Sequence, residues 1–278
     1  MINYNGTFKN QSQNYFNNRG FLYGDSVFET IKVIDNKIIF WEDHYLRLMS
    51  SLRILRMEIP NIYTPEFFEN EIIKTILKLD SLFSGRVRLT IYRGGGGLYL
   101  PENNHPVFVI HSKKIHEKLF KINLGSYNVD LFKDYEIQSN LISNLKTNNR
   151  VVNVIGSVYA NENELDNCIL LNDNKLVTEF LNGNIFIVSD NVIKTPTLSS
   201  GCLNGIMRKK IIELIKKVPE YEIIEKDFSP YELISSNEIW VTNSISGIIP
   251  ITQYRRKSFS NEVGSDIINY FNKKFIGF

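Results

Sequence analysis

The chain reads as a mixed α/β protein of two domains, and three observations lead there. Its 278 residues are enough for one large core or two modest ones, and two is the better expectation. Apolar spacing alternates between period two and helical spacing along the chain, the mark of interleaved strands and helices. A charged, weakly patterned stretch from Ser112 to Lys121 separates the halves. The expected boundary gives residues 1–115 as a smaller N-terminal α/β domain and 116–278 as a larger C-terminal one.

In the first half, Ser26 to Val33 and Lys37 to Phe40 read as strands around an Asp35-Asn36 turn. From His44 to Met57, Leu46, Leu48, Leu52, Ile54 and Leu55 recur at helical spacing, and Pro60 closes the segment. A second helix is expected from Pro65 to Leu79. Arg86 to Tyr92 alternates as a strand, and Val107 to Ser112 should pair nearby after a glycine-rich turn.

The second half opens with strands and a connecting segment, then a helix from about Asn148 to Asn161. Cys168 to Asn172 and Leu176 to Glu179 follow as strands around Asp173-Asn174. Ile185 to Ser189 and Val192 to Thr195 form a hairpin around Asp190-Asn191, and Ile206 to Val218 reads as an amphipathic helix.

Composition excludes several classes. Lys and Arg outnumber Asp and Glu only 32 to 30 and are scattered, so no basic stripe tracks a nucleic acid. No apolar run approaches the length that crosses a bilayer, and the N-terminus lacks a basic region followed by an apolar one, so no membrane partner and a cytoplasmic location are expected. Cys168 and Cys202 lie in apolar surroundings without metal-ligand spacing, which predicts buried free thiols and no metal. The run Gly94 to Gly97 lacks the lysine and hydroxyl of a phosphate-binding loop.

An ordered set of residues carries the chemistry. Lys146 lies at the end of an extended segment, Ser143-Asn144-Leu145-Lys146-Thr147-Asn148, just before a helix. Glu179 follows at a strand end, then Asn184-Ile185-Phe186, then Leu203-Asn204-Gly205-Ile206-Met207-Arg208 opening a helix. An amine for a Schiff base, a carboxylate for a ring nitrogen and a helix N-terminus for a phosphate are what pyridoxal 5'-phosphate (PLP) requires.

Together with Arg19-Gly20-Phe21-Leu22-Tyr23-Gly24-Asp25 and His44-Tyr45-Leu46-Arg47-Leu48, these pieces make the chain resemble the class IV, or fold-type IV, PLP enzymes. The resemblance runs from Arg19 to Pro250. It implies a two-domain fold of the D-amino-acid aminotransferase kind, the second domain binding PLP and the cofactor lying in the interdomain cleft. Lys146 is then the Schiff-base lysine and general base, and Glu179 the partner of the pyridine nitrogen. Leu203 packs on the ring, and Ile206 and Met207 donate backbone N–H groups to the phosphate. Arg47 and Ser244 add phosphate contacts. Family members are usually homodimers in which the loop from Arg93 to Leu100 completes the neighbouring subunit's site.

On the substrate side, D-amino-acid transaminases carry an arginine and a histidine where this chain has Leu98 and Leu100, and the proline-containing segment of branched-chain enzymes is not visible. Arg93-Gly94-Gly95-Gly96-Gly97-Leu98-Tyr99, Asn149-Arg150 after Lys146, and Asn204 to Arg208 instead resemble aminodeoxychorismate lyases. That resemblance implies release of pyruvate from 4-amino-4-deoxychorismate, a small-molecule amino substrate, to form 4-aminobenzoate for folate synthesis. Arg93 would face a substrate carboxylate, with Thr30 and Tyr99 as further substrate-side residues. The alternative is an aminotransferase for branched-chain or other hydrophobic amino acids; a D-amino-acid aminotransferase or a non-catalytic relative ranks below both.

Overall fold

Alternating apolar residues at Val27, Ile31 and Val33 build an inner strand of a six-stranded sheet. The computed structural model describes residues 2–9, 18–122 and 125–277. The chain divides into two units, Met1–Lys118 with Leu145–Asn149, and Leu119–Asn144 with Arg150–Phe278. The first contains β1 (Ile2–Tyr4), β2 (Thr7–Lys9), α1 (Arg19–Tyr23), β3 (Ser26–Ile34), β4 (Lys37–Ile38), α2 (Trp41–Ile54), α3 (Pro65–Leu77), β5 (Gly85–Arg93) and β6 (Pro106–Lys114). Its strands run in the order β2-β1-β6-β5-β3-β4, each pair antiparallel.

Successive strand residues face opposite sides. Val27, Ile31 and Val33 of β3, with Val87, Leu89 and Ile91 of β5, form one face, packed with Leu48 and Leu52 of α2 and Phe68, Ile72 and Ile76 of α3. Phe28, Thr30 and Lys32, paired in register with Thr90, Arg88 and Arg86, occupy the other. Phe68 closes the core through edge-on contacts with Tyr63 and Phe108, ring centroids 4.8 and 5.3 Å away.

Local signals set the ends of α2 differently from the expected His44 to Met57. Phe40 adopts a left-handed φ of 57° just before the helix, and Glu42 and Asp43 occupy its first turn, where the helix dipole favours acidic groups. At the other end Arg56 turns left-handed and the Met57 N–H reaches back to the Leu52 carbonyl, so Leu55 to Met57 leave the helix. The α3 helix starts at Pro65 under a Thr64 cap, its side chain accepting the Phe67 N–H at 3.2 Å, and ends two residues before the expected Leu79.

The second unit holds β7 (Asn128–Ile137), α4 (Val151–Glu162), β8 (Asn167–Asn172), β9 (Val177–Phe180), β10 (Gly183–Ser189), β11 (Val192–Thr195), α5 (Ile206–Ile215), β12 (Glu222–Glu225), α6 (Pro230–Ser235), β13 (Glu238–Asn243), β14 (Gly247–Pro250), β15 (Gln253–Tyr254), β16 (Lys257–Ser258) and α7 (Glu262–Phe271). Its sheet follows β12-β11-β10-β9-β8-β7-β15-β16, with β13 added on β10 and β14 on β13. Ile169, Phe180, Ile185, Ile187, Ile239, Val241 and Tyr254 lie in the main core. A second cluster packs Leu181 with Phe132, Ala160, Cys168 and Leu170. Gly156 of α4 makes room for Leu181, since a Cβ there would lie 2.4 Å from its Cδ2.

One segment does not follow the division expected at residue 115. Leu145–Asn149 belongs to the first unit: Thr147 forms an antiparallel bridge with Val27, the Phe28 N–H donates to the Lys146 carbonyl at 2.8 Å, and the Asn148 N–H to the Ser26 carbonyl at 3.0 Å. Those backbone groups are used in pairing with β3, so the helix expected from Asn148 starts only at Val151. The α5 helix likewise stops at Ile215, short of Val218, where Pro219 ends the apolar run. Both cysteines are buried and free. Among the described residues no helix is long and apolar enough to cross a membrane.

Phe68→Ala removes a fully buried ring from the first core and should destabilise the protein by about 3–5 kcal/mol. A urea titration checks this, through a lower midpoint with an unchanged slope for that unit's transition.

Candidate active site

Candidate residues lie on both faces of β3 in the first unit and around the Leu203 to Met207 segment in the second. In the first, the backbone pairing with β3 brings Lys146 to Phe28, with Nζ 4.7 Å from the ring centroid. Arg88 of β5 lies over the same ring, its guanidinium carbon 3.6 Å from the centroid. Its Nη2 donates to Asn148 Oδ1 at 2.9 Å and its Nε to Thr90 Oγ1 at 3.2 Å. Burial, then the Arg86 charge, lower its pKa to about 10, so it stays cationic at neutral pH. Thr30 is the cross-strand partner of Arg88 and shares its face. An amine and a guanidinium thus meet on one aromatic ring, and Thr30 shares their strand face.

The opposite face of β3 carries a carboxylate in the apolar phase of the strand. Glu29 is 1% exposed and faces His44 and Arg47, whose i, i+3 spacing puts both on one side of α2. His44 Nδ1 lies 2.6 Å from Glu29 Oε2, while Arg47 donates from Nε to Oε1 at 2.8 Å and from Nη2 to Oε2 at 2.5 Å. Burial by itself would raise the Glu29 pKa; the Arg47 charge, followed by the His44 hydrogen bond, overrides it and lowers the pKa to about 2. Burial lowers the His44 pKa against the pull of Glu29, keeping the ring neutral, and the charges of Arg47 and Lys146 act in the same direction. With Nδ1–H directed at Glu29, His44 Nε2 is a buried acceptor without a hydrogen-bond partner.

In the second unit, Glu179 of β9, Asn184 of β10 and Thr242 of β13 lie in one cross-strand row, all buried. Glu179 Oε2 accepts the Leu203 N–H at 2.8 Å, and Asn184 Nδ2 donates to the Leu203 carbonyl at 2.8 Å. The row therefore holds both polar groups of Leu203. Asn144, two residues before Lys146 in the chain, completes the frame: its Nδ2 donates to the carbonyls of Leu198 and Cys202 at 2.9 and 2.7 Å, and its carbonyl accepts the Asn204 N–H at 3.2 Å. Gly205 is obligatory here, because a Cβ would lie 2.0 Å from Asn184 Oδ1.

Gly205 is also the N-cap of α5 and supplies no side-chain cap, so Ile206 and Met207 begin the helix with backbone N–H groups of the type that binds anions. Arg208 holds this end down, donating from Nη2 to the Pro196 carbonyl at 2.7 Å and to Glu225 at 2.8 Å. Ser244 stands in the β13–β14 turn, where Asn243 Oδ1 accepts the N–H groups of Ile245 and Ser246.

The two other expected substrate residues lie at the end of β5 and on the turn beyond it. Arg93, expected to face a substrate carboxylate, donates to Asp25, to Asn104 Oδ1 at 2.6 Å and to the Leu55 carbonyl at 2.6 Å, and is buried among them. Tyr99 lies on the exposed turn that follows it. Arg88 is the guanidinium that shares the Phe28 ring with Lys146. Arg88, Glu29 and Asn144 were missed by sequence reasoning. The first two had a signal in the strand period, since Glu29 is the one charge in the apolar phase of β3 and Arg88 falls in the opposite phase of β5. Asn144 had none.

Residues 26–254 match the family described as amino-transferase class IV, and the chain belongs to that family of enzymes. It is similar to the aminodeoxychorismate lyase of Vibrio harveyi, 29% identical over 84% of each chain. It is also similar to a Methanocaldococcus jannaschii protein provisionally named a branched-chain-amino-acid aminotransferase, 27% identical over 92% of this chain and 88% of that one. Among solved structures, the branched-chain amino acid aminotransferase of Thermobaculum terrenum in its PLP form shares the fold at a TM-score of 0.85 and 20% identity, covering 98% and 92% of the two chains. The two-unit α/β architecture is thus the fold-type IV architecture that the sequence led one to expect.

Glu29→Gln should cost about 3–5 kcal/mol near pH 7, because it leaves the Arg47 charge buried without its counter-ion. The folded pKa of Glu29 lies below the ordinary 4.5, so its stabilisation is complete above that value and disappears as the pH falls toward about 2. Urea titrations across that range should show the gap between wild type and variant closing as acid is added.

Proposed function

We propose that this chain is a PLP-dependent lyase that converts 4-amino-4-deoxychorismate to 4-aminobenzoate and pyruvate. The supporting observation is the meeting of Lys146 and Arg88 on the Phe28 ring, next to Thr30 and on the strand face that also carries Lys32. The lyase substrate is a ring with two carboxylates, so a cationic face beside an aromatic ring matches it. An aliphatic side chain asks for an apolar lining instead.

The donor set fits the cofactor: a lysine amine, the buried carboxylate of Glu179, and a helix start kept open by Gly205. When bound, PLP supplies an aldehyde that takes up the substrate amine and a ring that accepts the electron pair left by loss of a proton. Lys146 takes that proton from the carbon bearing the amine. Arg88 orients a substrate carboxylate, and its planar fork suits that anion. Glu179 accepts from the pyridine N–H while its Oε2 keeps the Leu203 turn in place, and Leu203 covers the ring. The Ile206 and Met207 N–H groups hold the phosphate, assisted by Arg47 and Ser244; Glu29 and His44 keep Arg47 oriented. The bond between the substrate ring and the enolpyruvyl oxygen then breaks, the proton held by Lys146 is returned to the enolpyruvyl methylene carbon to give pyruvate, and the substrate ring's gain of aromaticity drives the step without an amino acceptor.

Transamination of branched-chain or other hydrophobic amino acids is the second reading, favoured by the similarity to the Methanocaldococcus jannaschii protein. A homodimer is part of the proposal. On α4, Val151, Val154 and Val158 stand more than half exposed along one uncharged helix face, an apolar surface that a second copy would cover.

Borohydride reduction of PLP-loaded protein should fix the cofactor on the Lys146 peptide, and Lys146→Arg should abolish both this adduct and turnover; an adduct on another lysine discards the assignment. Wild type should form 4-aminobenzoate and pyruvate from enzymatically generated 4-amino-4-deoxychorismate without an amino acceptor. Transamination of branched-chain or other hydrophobic amino acids with 2-oxoglutarate and no 4-aminobenzoate would replace the lyase reading with the second. Arg88→Ala should raise KM about ten-fold or more with a smaller change in kcat, as expected for lost substrate binding.

A further inference from the structure

Arg19 opens the short helix α1 and is 3% exposed, yet its partners are loops and not a core. Its Nη1 donates to the carbonyls of Gly96, Gly97 and Leu98 at 3.2, 3.1 and 2.5 Å, and its Nη2 to that of Tyr99 at 3.2 Å. Four consecutive carbonyls converge on one guanidinium. Its Nε donates to Asp25 Oδ2 at 3.1 Å, the same oxygen that accepts Arg93 Nε at 2.9 Å. One carboxylate therefore joins the arginine that ends β5 to the arginine that gathers the turn beyond it. The Tyr23 ring lies 5.0 Å from the Arg19 guanidinium and 5.7 Å from the Tyr99 ring, which extends the support to that side chain.

The turn is built to this shape from its own side as well. Gly95 and Gly97 have φ of +79° and +89°, and a Cβ on Gly97 would lie 2.5 Å from the Leu100 carbonyl. The Gly96 N–H donates to Glu102 Oε2 at 3.2 Å and the Glu102 N–H to the Gly96 carbonyl at 3.3 Å. The run of four glycines is a fixed turn, not a slack linker. Its tip buries little: Leu98, Tyr99 and Leu100 are 78%, 89% and 85% exposed. A buried, desolvated arginine that holds so exposed a tip contributes little core packing, so its use lies in what the tip presents.

We propose that Arg19 is a positioning residue for the reaction: it sets the conformation of the Gly94–Tyr99 turn and thereby places Leu98 and Tyr99 for substrate recognition. This rests on the reading that the chain turns over a PLP-bound amino substrate. Lysine cannot replace Arg19, because a single ammonium lacks the planar fork that spans four carbonyls and Asp25 together.

The test compares Arg19→Ala, Arg19→Lys and Gly97→Ala in the PLP-loaded full chain. The readouts are hydrogen–deuterium exchange of the 94–105 peptide and steady-state constants for whichever substrate the wild type turns over. Both Arg19 variants should exchange the Gly96 and Glu102 amides about ten-fold faster and raise KM about ten-fold, with kcat changed by less than about three-fold. Added guanidinium should lower KM again in Arg19→Ala but not in Arg19→Lys. Gly97→Ala, which leaves every Arg19 donor in place, should reproduce the KM rise, and it carries the test if Arg19→Ala does not fold. Faster exchange with unchanged KM would mean a structural role alone and overturn the proposal. Raised KM with unchanged exchange would place Arg19 on the substrate itself and overturn it equally. A wild type that turns over neither substrate defeats the proposed function and the recognition role together, while the exchange result still decides whether Arg19 holds the turn.

Discussion

A single carboxylate in the wrong phase of a strand governs the first unit. Glu29 stands among Val27, Ile31 and Val33 on the face that packs beneath α2, where an unpaired charge would be expelled or protonated. His44 and Arg47 resolve this, and in doing so they fix the rotation of α2 against β3, because only one helix face can present both at once. One ionic partner, one neutral hydrogen-bond partner and the apolar residues of the same helix thus demand one orientation. Ion-pair specificity and hydrophobic packing agree here, and that agreement makes a register unique.

The register has a consequence on the other side of the sheet. Once Glu29 faces the helices, Phe28 and Thr30 must face away from them, and the antiparallel pairing with β5 turns Arg88 the same way. Lys146 reaches that face through backbone pairing of its own short segment with β3, so the position of its main chain is set by hydrogen bonds and not by a flexible side chain. The second unit uses the same device with different atoms. Glu179 and Asn184 hold both polar groups of Leu203, and the absence of a Cβ at Gly205 allows Asn184 to approach, so two interior strands of the sheet shape the start of α5. In both units rigid strands support the chemistry-bearing groups, as precise positioning requires.

Two arginines of β5 show why residue type alone misleads. Arg93 opens the glycine-rich segment and looks like an anion binder, yet Asp25, Asn104 and backbone carbonyls take up its guanidinium. Arg88, five residues earlier, has the opposite phase in sequence and faces the Phe28 ring. Odd spacing on a strand separates the two faces, so one arginine supports the turn and the other faces the candidate site.

Much of this was legible in the chain itself. Asp35-Asn36, Asp173-Asn174 and Asp190-Asn191 marked their turns because these residues tolerate left-handed backbone, and Asp35, Asn36 and Asp190 do adopt it. The ordered set of Lys146, Glu179 and the Leu203 to Arg208 helix start was enough for the family, since each piece is a local arrangement with its own sequence mark. Beyond Val218 no local mark announced β12, α6, β13, β14, β15, β16 or α7. What only the tertiary structure decided was long-range: the return of Leu145–Asn149 to the first unit, the choice of Arg88 over Arg93, the pairing of Glu29 with α2, and the capture of four carbonyls by Arg19. Each depends on strand register or on a partner distant in sequence, and local propensity carries no information about either.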